Sequence, residues 1–178
     1  MEPILRAFEP KDVKEAIAIW NTVVEDGKAF PQLELLDDDS GLAFFESQSY
    51  TGVACDRATG KVVGLYILHP NNVGRCGHIC NASYAVLKSA RGQHVGEHLV
   101  RDCMKKGKEL GFRILQFNAV VRSNTTALRL YQKLGFVRLG SFRRDFYPKT
   151  EPMRTLSRTI SHCKSDSFSK SINRRTLR

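Results

Sequence analysis

The chain has no apolar run approaching the ~18 residues that a membrane-crossing helix needs. Its opening stretch, MEPILRAFEPKD, is charged within its first turn and lacks the apolar core of a signal peptide. Both features point to the cytoplasm. Cysteines are few, and none has a paired spacing. Cys55, Cys76, Cys80, Cys103 and Cys163 form an odd set, which suits a reducing compartment. The RCGHIC stretch has no second ligand pair at zinc-like spacing, and Cys76, His78 and Cys80 alternate as strand residues do. No metal site is expected, and no internal repeat is present. Acidic residues are scarce only at the far end. Residues 141–178 hold ten Lys or Arg against three Asp or Glu, which is +7 of the formal +10. The excess belongs to that tail, so residues 1–140 carry too little charge for a nucleic-acid-binding domain.

What is present suffices for one core: 178 residues, of which 42% are hydrophobic. Residues 3–8 read as a strand. Pro10 then opens a helix, with Val13, Ala16, Ile17 and Trp20 on one face, that stops before Gly27. Residues 25–41, with their acidic run, read as a loop, and a short helix follows around 42–45. YTGVACD and KVVGLYIL pair across the RATG turn as a hairpin. HICNASYAVL is a longer strand. Helical periodicity returns with Val95, Leu99, Cys103, Met104 and Leu110, and Gly111 ends it. FRILQFNAVV is a strand, Asn124 caps a last helix carrying Ala127, Leu128, Tyr131 and Leu134, and FVRLG is one more strand. The order β-α-α-β-β-β-α-β-α-β describes a mixed α/β domain around one sheet.

The stretch ARGQHVG stands between a strand and a helix. A helix start exposes unpaired N–H groups and the positive end of its dipole, so it suits an anion. Its glycines allow close approach of the backbone, and Arg91 adds charge. Read alone, the stretch serves equally as the punctuation of a buried amphipathic helix.

Together with NTTALRLYQKLGF (residues 124–136), the loop resembles the GNAT family of N-acetyltransferases over roughly residues 3–140. EDGKAFPQ, RCGHICNASY and RGQHVG followed by FNAVVRSN look closer still to the fungal acetyltransferases that act on proline analogues such as azetidine-2-carboxylate. The resemblance implies an α/β fold with a splayed central sheet and helices on both faces. It implies acetyl-coenzyme A as co-substrate, no metal, and a small-molecule amine as acceptor. A protein or peptide N-terminus as acceptor, and a non-catalytic acyl-coenzyme A-binding module, remain open. A homodimer is a further arrangement that the resemblance allows.

On the same resemblance, Arg91, Gly92, Gln93, His94, Val95 and Gly96 hold the cofactor pyrophosphate. His94 stands where the family usually has glycine, so its side chain must point outward. Val86 and Leu87, at the end of a backbone stretch beginning at Tyr84, offer groups to the pantetheine arm, and Asn124 touches it. Tyr131 is the proton donor to the leaving thiolate; a phenol's ordinary pKa of ~10 lies near that of an alkyl thiol. Asn81 and Asn118 sit inside apolar strands, where asparagine is disfavoured and a buried amide needs partners. The resemblance turns both toward the acceptor. No clear general base emerges. Glu25 is the best carboxylate on resemblance, and His78 is a poor one.

After Gly140 the family pattern stops, and the last strand of the fold is expected to be missing. The chain therefore divides into a domain, 1–140, and a basic tail, 141–178, read as disordered or frame-shifted. The codons allowed for residues 148–162, read two nucleotides later, permit Lys-Asp-Gly-Thr-Tyr-Glu-Asp-Ile-Ile-Pro-Tyr-Tyr. That peptide looks like the C-terminal stretch of these acetyltransferases.

Overall fold

The computed structural model describes residues 2–143 and 157–163, with side chains from 2 to 140. One seven-stranded sheet runs in the order β1-β2-β3-β4-β5-β7-β6. Strands β1 (Ile4–Ala7), β2 (Tyr50–Cys55), β3 (Val62–Pro70) and β4 (Ile79–Val86) pair antiparallel in turn. Strand β5 (Ile114–Val121) joins β4 in parallel, and only through Ile79–Ile114 and Cys80–Leu115. Beyond Cys80 the two strands part, so the sheet is splayed.

Two cores lie on opposite faces. Helices α1 (Val13–Asp26) and α2 (Asp38–Glu46) cover one with Trp20, Phe30, Phe45, Val53 and Leu65. Helices α3 (Val95–Glu109) and α4 (Thr125–Lys133) cover the other with Tyr66, Leu68, Leu99, Cys103 and Phe117. Alternation along the strands distributes these contacts. Cys80 and Ala82 face α3, while Ala85 faces α1.

Capping explains the helix ends. Asn124 Oδ1 accepts the Ala127 N–H at 3.2 Å, as expected of an N-cap. Helix α1 stops at Gly27, whose φ of 59° suits a residue without a β-carbon. Helix α2 begins earlier than its sequence suggests, inside the acidic run. Asp37 accepts the Ser40 N–H at 2.8 Å, and Asp38 and Asp39 sit in the first turn, where the dipole favours negative charge. Leu110 lies past the end of α3 and is exposed rather than in its buried face.

The expectation of a missing last strand is corrected. Strand β7 (Ser157–Cys163) inserts antiparallel between β5 and β6 (Val137–Arg143). Its sequence, SRTISHC, shows no apolar alternation. Two neighbouring strands complete its ladder, so pairing decides its conformation where composition does not. The rest of the expected tail, residues 144–156 and 164–178, lies outside the described residues. Among the described residues no helix is long and apolar enough to cross a membrane.

Candidate active site

The parting of β4 from β5 opens a cavity of about 210 Å³. Its walls come from four places: residues 29–31 after α1, 81–84 of β4, 117–121 of β5, and Asn124, Ala127 and Tyr131 at α4. The cavity thus brings together four residues singled out by sequence: Asn81, Asn118, Asn124 and Tyr131. Among the described residues its lining carries no carboxylate, imidazole, amine or guanidinium.

Asn81 lies between Cys80 and Ala82, both of which face α3, so it takes the opposite sheet face. Asn118 likewise follows inward-facing Phe117. Both asparagines therefore share the α1 side, while Tyr131 closes the other. Asn81 Oδ1 accepts the Ala82 N–H at 2.9 Å, and its Nδ2 donates to no described residue. Asn118 is exposed, not buried as its apolar neighbours suggested. Its Oδ1 accepts from Asn71 Nδ2 at 2.9 Å and from Gln116 Nε2 at 3.2 Å, and its Nδ2 donates to Asn71 Oδ1 at 2.6 Å.

Tyr131 is half-buried in an aromatic cluster, 4.4 Å from Phe117 and 5.3 Å from Phe136 between ring centroids. Burial pushes its phenol well above the ordinary value of 10, and nearby Cys103 adds to the shift. Tyr84 stands 6.5 Å away, ring to ring, with a buried hydroxyl that makes no well-formed hydrogen bond. Burial raises that phenol too, and the weakly polar Cys103 thiol is the group it senses.

Residues 91–96 lie away from this cavity, past the end of β4. Leu87 closes the strand by donating to Val63 O at 2.9 Å, and a 3-10 turn (Lys88–Ala90) leads into the loop. Gly92 has φ of 78°, and His94 caps α3 at φ of 62°. His94 is the one non-glycine residue with positive φ among those described. Its side chain is 74% exposed and points away from the loop core, as expected, with Nδ1 3.8 Å from Glu97. Glu97 is held down to about 2, first by the hydrogen bond from Lys133 and then by Arg101. The Val95 and Gly96 amides at the start of α3 have no intrahelical acceptor, and Lys88 and Arg91 stand in the chain just before them, a setting that suits an anion. Those cations are engaged from α1: Lys88 Nζ lies 3.2 Å and Arg91 Nη2 3.8 Å from the Asp26 carboxylate.

One sequence expectation is not met at the cavity. Glu25 is exposed at the end of α1 and does not line it; residues 29–31 of the same loop do. His78 lies before β4 and pairs through Nδ1 with Arg75 O at 3.0 Å. Among the described residues no group of three His, Cys, Asp or Glu is arranged to hold a metal. Sequence reasoning missed Asn71, a loop residue without periodicity, and Asp26, whose partner Lys88 is 62 positions away.

Comparison with known proteins defines the class. Residues 16–136 match the Acetyltransferase (GNAT) family, and the chain belongs to it. Among curated relatives, the N-acetyltransferase aca1 of Schizosaccharomyces pombe is 29% identical over 135 residues, 67% of this chain and 65% of that protein. The chain thus spans about two thirds of that relative's length. Among solved structures, a GCN5-related N-acetyltransferase from Kribbella flavida is 31% identical with a TM-score of 0.82, covering 91% of this chain and 97% of that one. YncA from Salmonella typhimurium, solved with its cofactor acetyl-CoA, shares the fold at 16% identity and a TM-score of 0.84, over 99% of this chain and 100% of that one.

Proposed function

We propose that the chain is an acetyl-coenzyme A-dependent N-acetyltransferase acting in the cytoplasm on a small amine, an amino acid or a proline analogue such as azetidine-2-carboxylate. The observation that carries this reading is the cavity at the parted strands. It has two carboxamides on one face, the Tyr131 phenol on the other, and the β5-facing edge of β4 without a strand partner beyond Cys80.

The residues present fit the co-substrate. Residues 91–96, with the start of α3, would hold a pyrophosphate, and Val86 would offer its backbone to the pantetheine arm, since the Leu87 N–H is taken by Val63 O on the β3 side. Asn124 stands at the cavity and caps α4. Acetyl-coenzyme A supplies an acetyl group activated as a thioester. The amine forms a bond to the carbonyl carbon, the carbon–sulfur bond breaks, and Tyr131 gives its proton to the departing sulfur and regains one from solvent. The amine's own proton leaves to solvent, since no described side chain at the cavity is a base. Asn81 Nδ2 and the spare N–H of Asn118 are donors, which suits an acceptor bearing a carboxylate or carbonyl oxygen. Pairing of two copies belongs to the same proposal.

Thermal unfolding with increasing acetyl-coenzyme A tests the first half. A midpoint that climbs with ligand concentration is expected. Thiol release with azetidine-2-carboxylate against a panel of peptides tests the second. No climb in a folded sample overturns the reading.

A further inference from the structure

Asn71 follows β3, in the turn that leads toward β4. Its backbone N–H donates to Ile79 O at 2.8 Å, which closes the turn irrespective of side chain. The side chain does something else. From the β3 side of β4 it reaches β5 and forms two reciprocal hydrogen bonds with Asn118, at 2.6 and 2.9 Å. Gln116 Nε2 adds a third bond to Asn118 Oδ1 at 3.2 Å. A carboxamide has two acceptor sites on oxygen and two N–H donors. The oxygen of Asn118 is therefore saturated, one N–H is committed to Asn71, and one N–H is left over.

We infer that Asn71 is a positioning residue for acceptor recognition, holding the plane of the Asn118 carboxamide while the Gln116 donor selects its orientation, so that Asn118 presents an N–H to the cavity. The inference rests on the acetyltransferase reading and deepens it. Asn118 is exposed, and a free carboxamide there would rotate and offer oxygen or nitrogen equally. Held by Asn71 and oriented by Gln116, it selects for an oxygen on the acceptor and against a second amine at that point. Asn71 is absent from the cavity lining, so it acts through Asn118 and not by its own contact. The lock also ties the β3–β4 turn to β5 across the region where the two strands share only two residue pairs.

The test uses the full chain with acetyl-coenzyme A and azetidine-2-carboxylate, in the wild type, Asn71→Ala, Asn118→Ala, the double variant and Asn71→Gln. Asn71→Ala is expected to raise the acceptor KM about tenfold, the scale of one hydrogen bond to a charged group. The KM for acetyl-coenzyme A stays put and kcat changes less than twofold. Asn118→Ala gives a similar loss, and the double variant is no worse than the worse single one, because both remove the same oriented donor. Asn71→Gln keeps the carboxamide and recovers part of the loss. It also serves as the folded variant if Asn71→Ala proves unstable. An acceptor KM within twofold of wild type in Asn71→Ala overturns the inference alone, as does a double variant whose losses multiply. A wild type that binds acetyl-coenzyme A and acetylates no amine overturns the enzyme reading, and this inference with it.

Discussion

The Asp26 carboxylate, at the last residue of α1, lies 3.2 Å from the Lys88 ammonium, 62 positions later in the chain. Arg91 approaches the same carboxylate at 3.8 Å. An acid at a helix C-terminus faces the negative end of the dipole, and the last turn of α1 holds no basic residue. Lys88, in the turn before the loop proposed for the pyrophosphate, and Arg91, at its start, therefore supply the compensating charge. A bound phosphate competes with Asp26 for those cations. Asp26→Asn is expected to bind coenzyme A roughly two- to fivefold tighter, the range of an exposed ion pair. Titration calorimetry at low salt checks it, and the gain should shrink in 0.3 M salt. Weaker binding would mean that Asp26 pre-orders the cations instead of competing for them.

His94 adopts φ of 62°, a conformation that histidine tolerates better than most residues but that β-branched side chains strongly resist. His94→Gly removes the constraint, and its midpoint should stay near that of the wild type with acetyl-coenzyme A still stabilising it. His94→Val should lose about 1–3 kcal/mol, roughly 2–12 °C in midpoint, together with the ligand-dependent rise. Equal midpoints for the valine and glycine variants would show that the loop adopts another conformation.

Burial holds the Tyr131 phenol protonated well past its ordinary range. Tyr131, the proposed proton donor, stays protonated throughout the pH range in which amines lose their protons. The rate should therefore climb with pH as the acceptor deprotonates and show no downturn near pH 10. Tyr131→Phe should cut kcat by about a hundredfold while leaving the affinity for acetyl-coenzyme A within twofold. An alkaline limb that disappears in Tyr131→Phe would place the phenol's pKa near its ordinary value and contradict the burial argument.

The legible parts of this molecule are those encoded locally. Helices α1, α3 and α4 announce themselves by apolar periodicity and by Gly27, Asn124 and Gly111 at their ends. Asn81 and Asn118 stand out because a carboxamide in an apolar strand has a cost that something must offset. Helix α2 is hidden because Asp37, Asp38 and Asp39 read as loop charge until their place at a helix start is seen. Strand β7 is hidden for a different reason: SRTISHC shows no alternation of its own, and its partners lie far off in sequence. The Asn71–Asn118 lock spans 47 positions and joins a turn residue to a strand residue, so no local pattern betrays it.

Arg6 grips Asp12 with two hydrogen bonds, at 2.6 and 2.8 Å, and the Glu9 N–H adds a third at 2.9 Å. The Asp12 side chain is 5% exposed, so this fork anchors the start of α1 to β1 within nearly dry surroundings. Burial alone would raise the carboxyl, but the Arg6 fork and the Glu9 amide more than offset it and leave the group below its ordinary 3.8. The folded pKa is thus depressed relative to the unfolded one. The stabilisation is complete above about pH 4 and is lost as pH falls through the lower, folded value. Asp12→Asn should be less stable than the wild type at pH 6, by about 2–4 kcal/mol, because Arg6 loses its counter-charge. The gap between the two should hold constant down to about pH 4 and then close as the wild-type carboxyl takes up its proton. Urea midpoints from pH 6 to pH 2.5 measure it. A gap that persists unchanged to pH 2.5 would mean that the pair contributes through shape and not through charge.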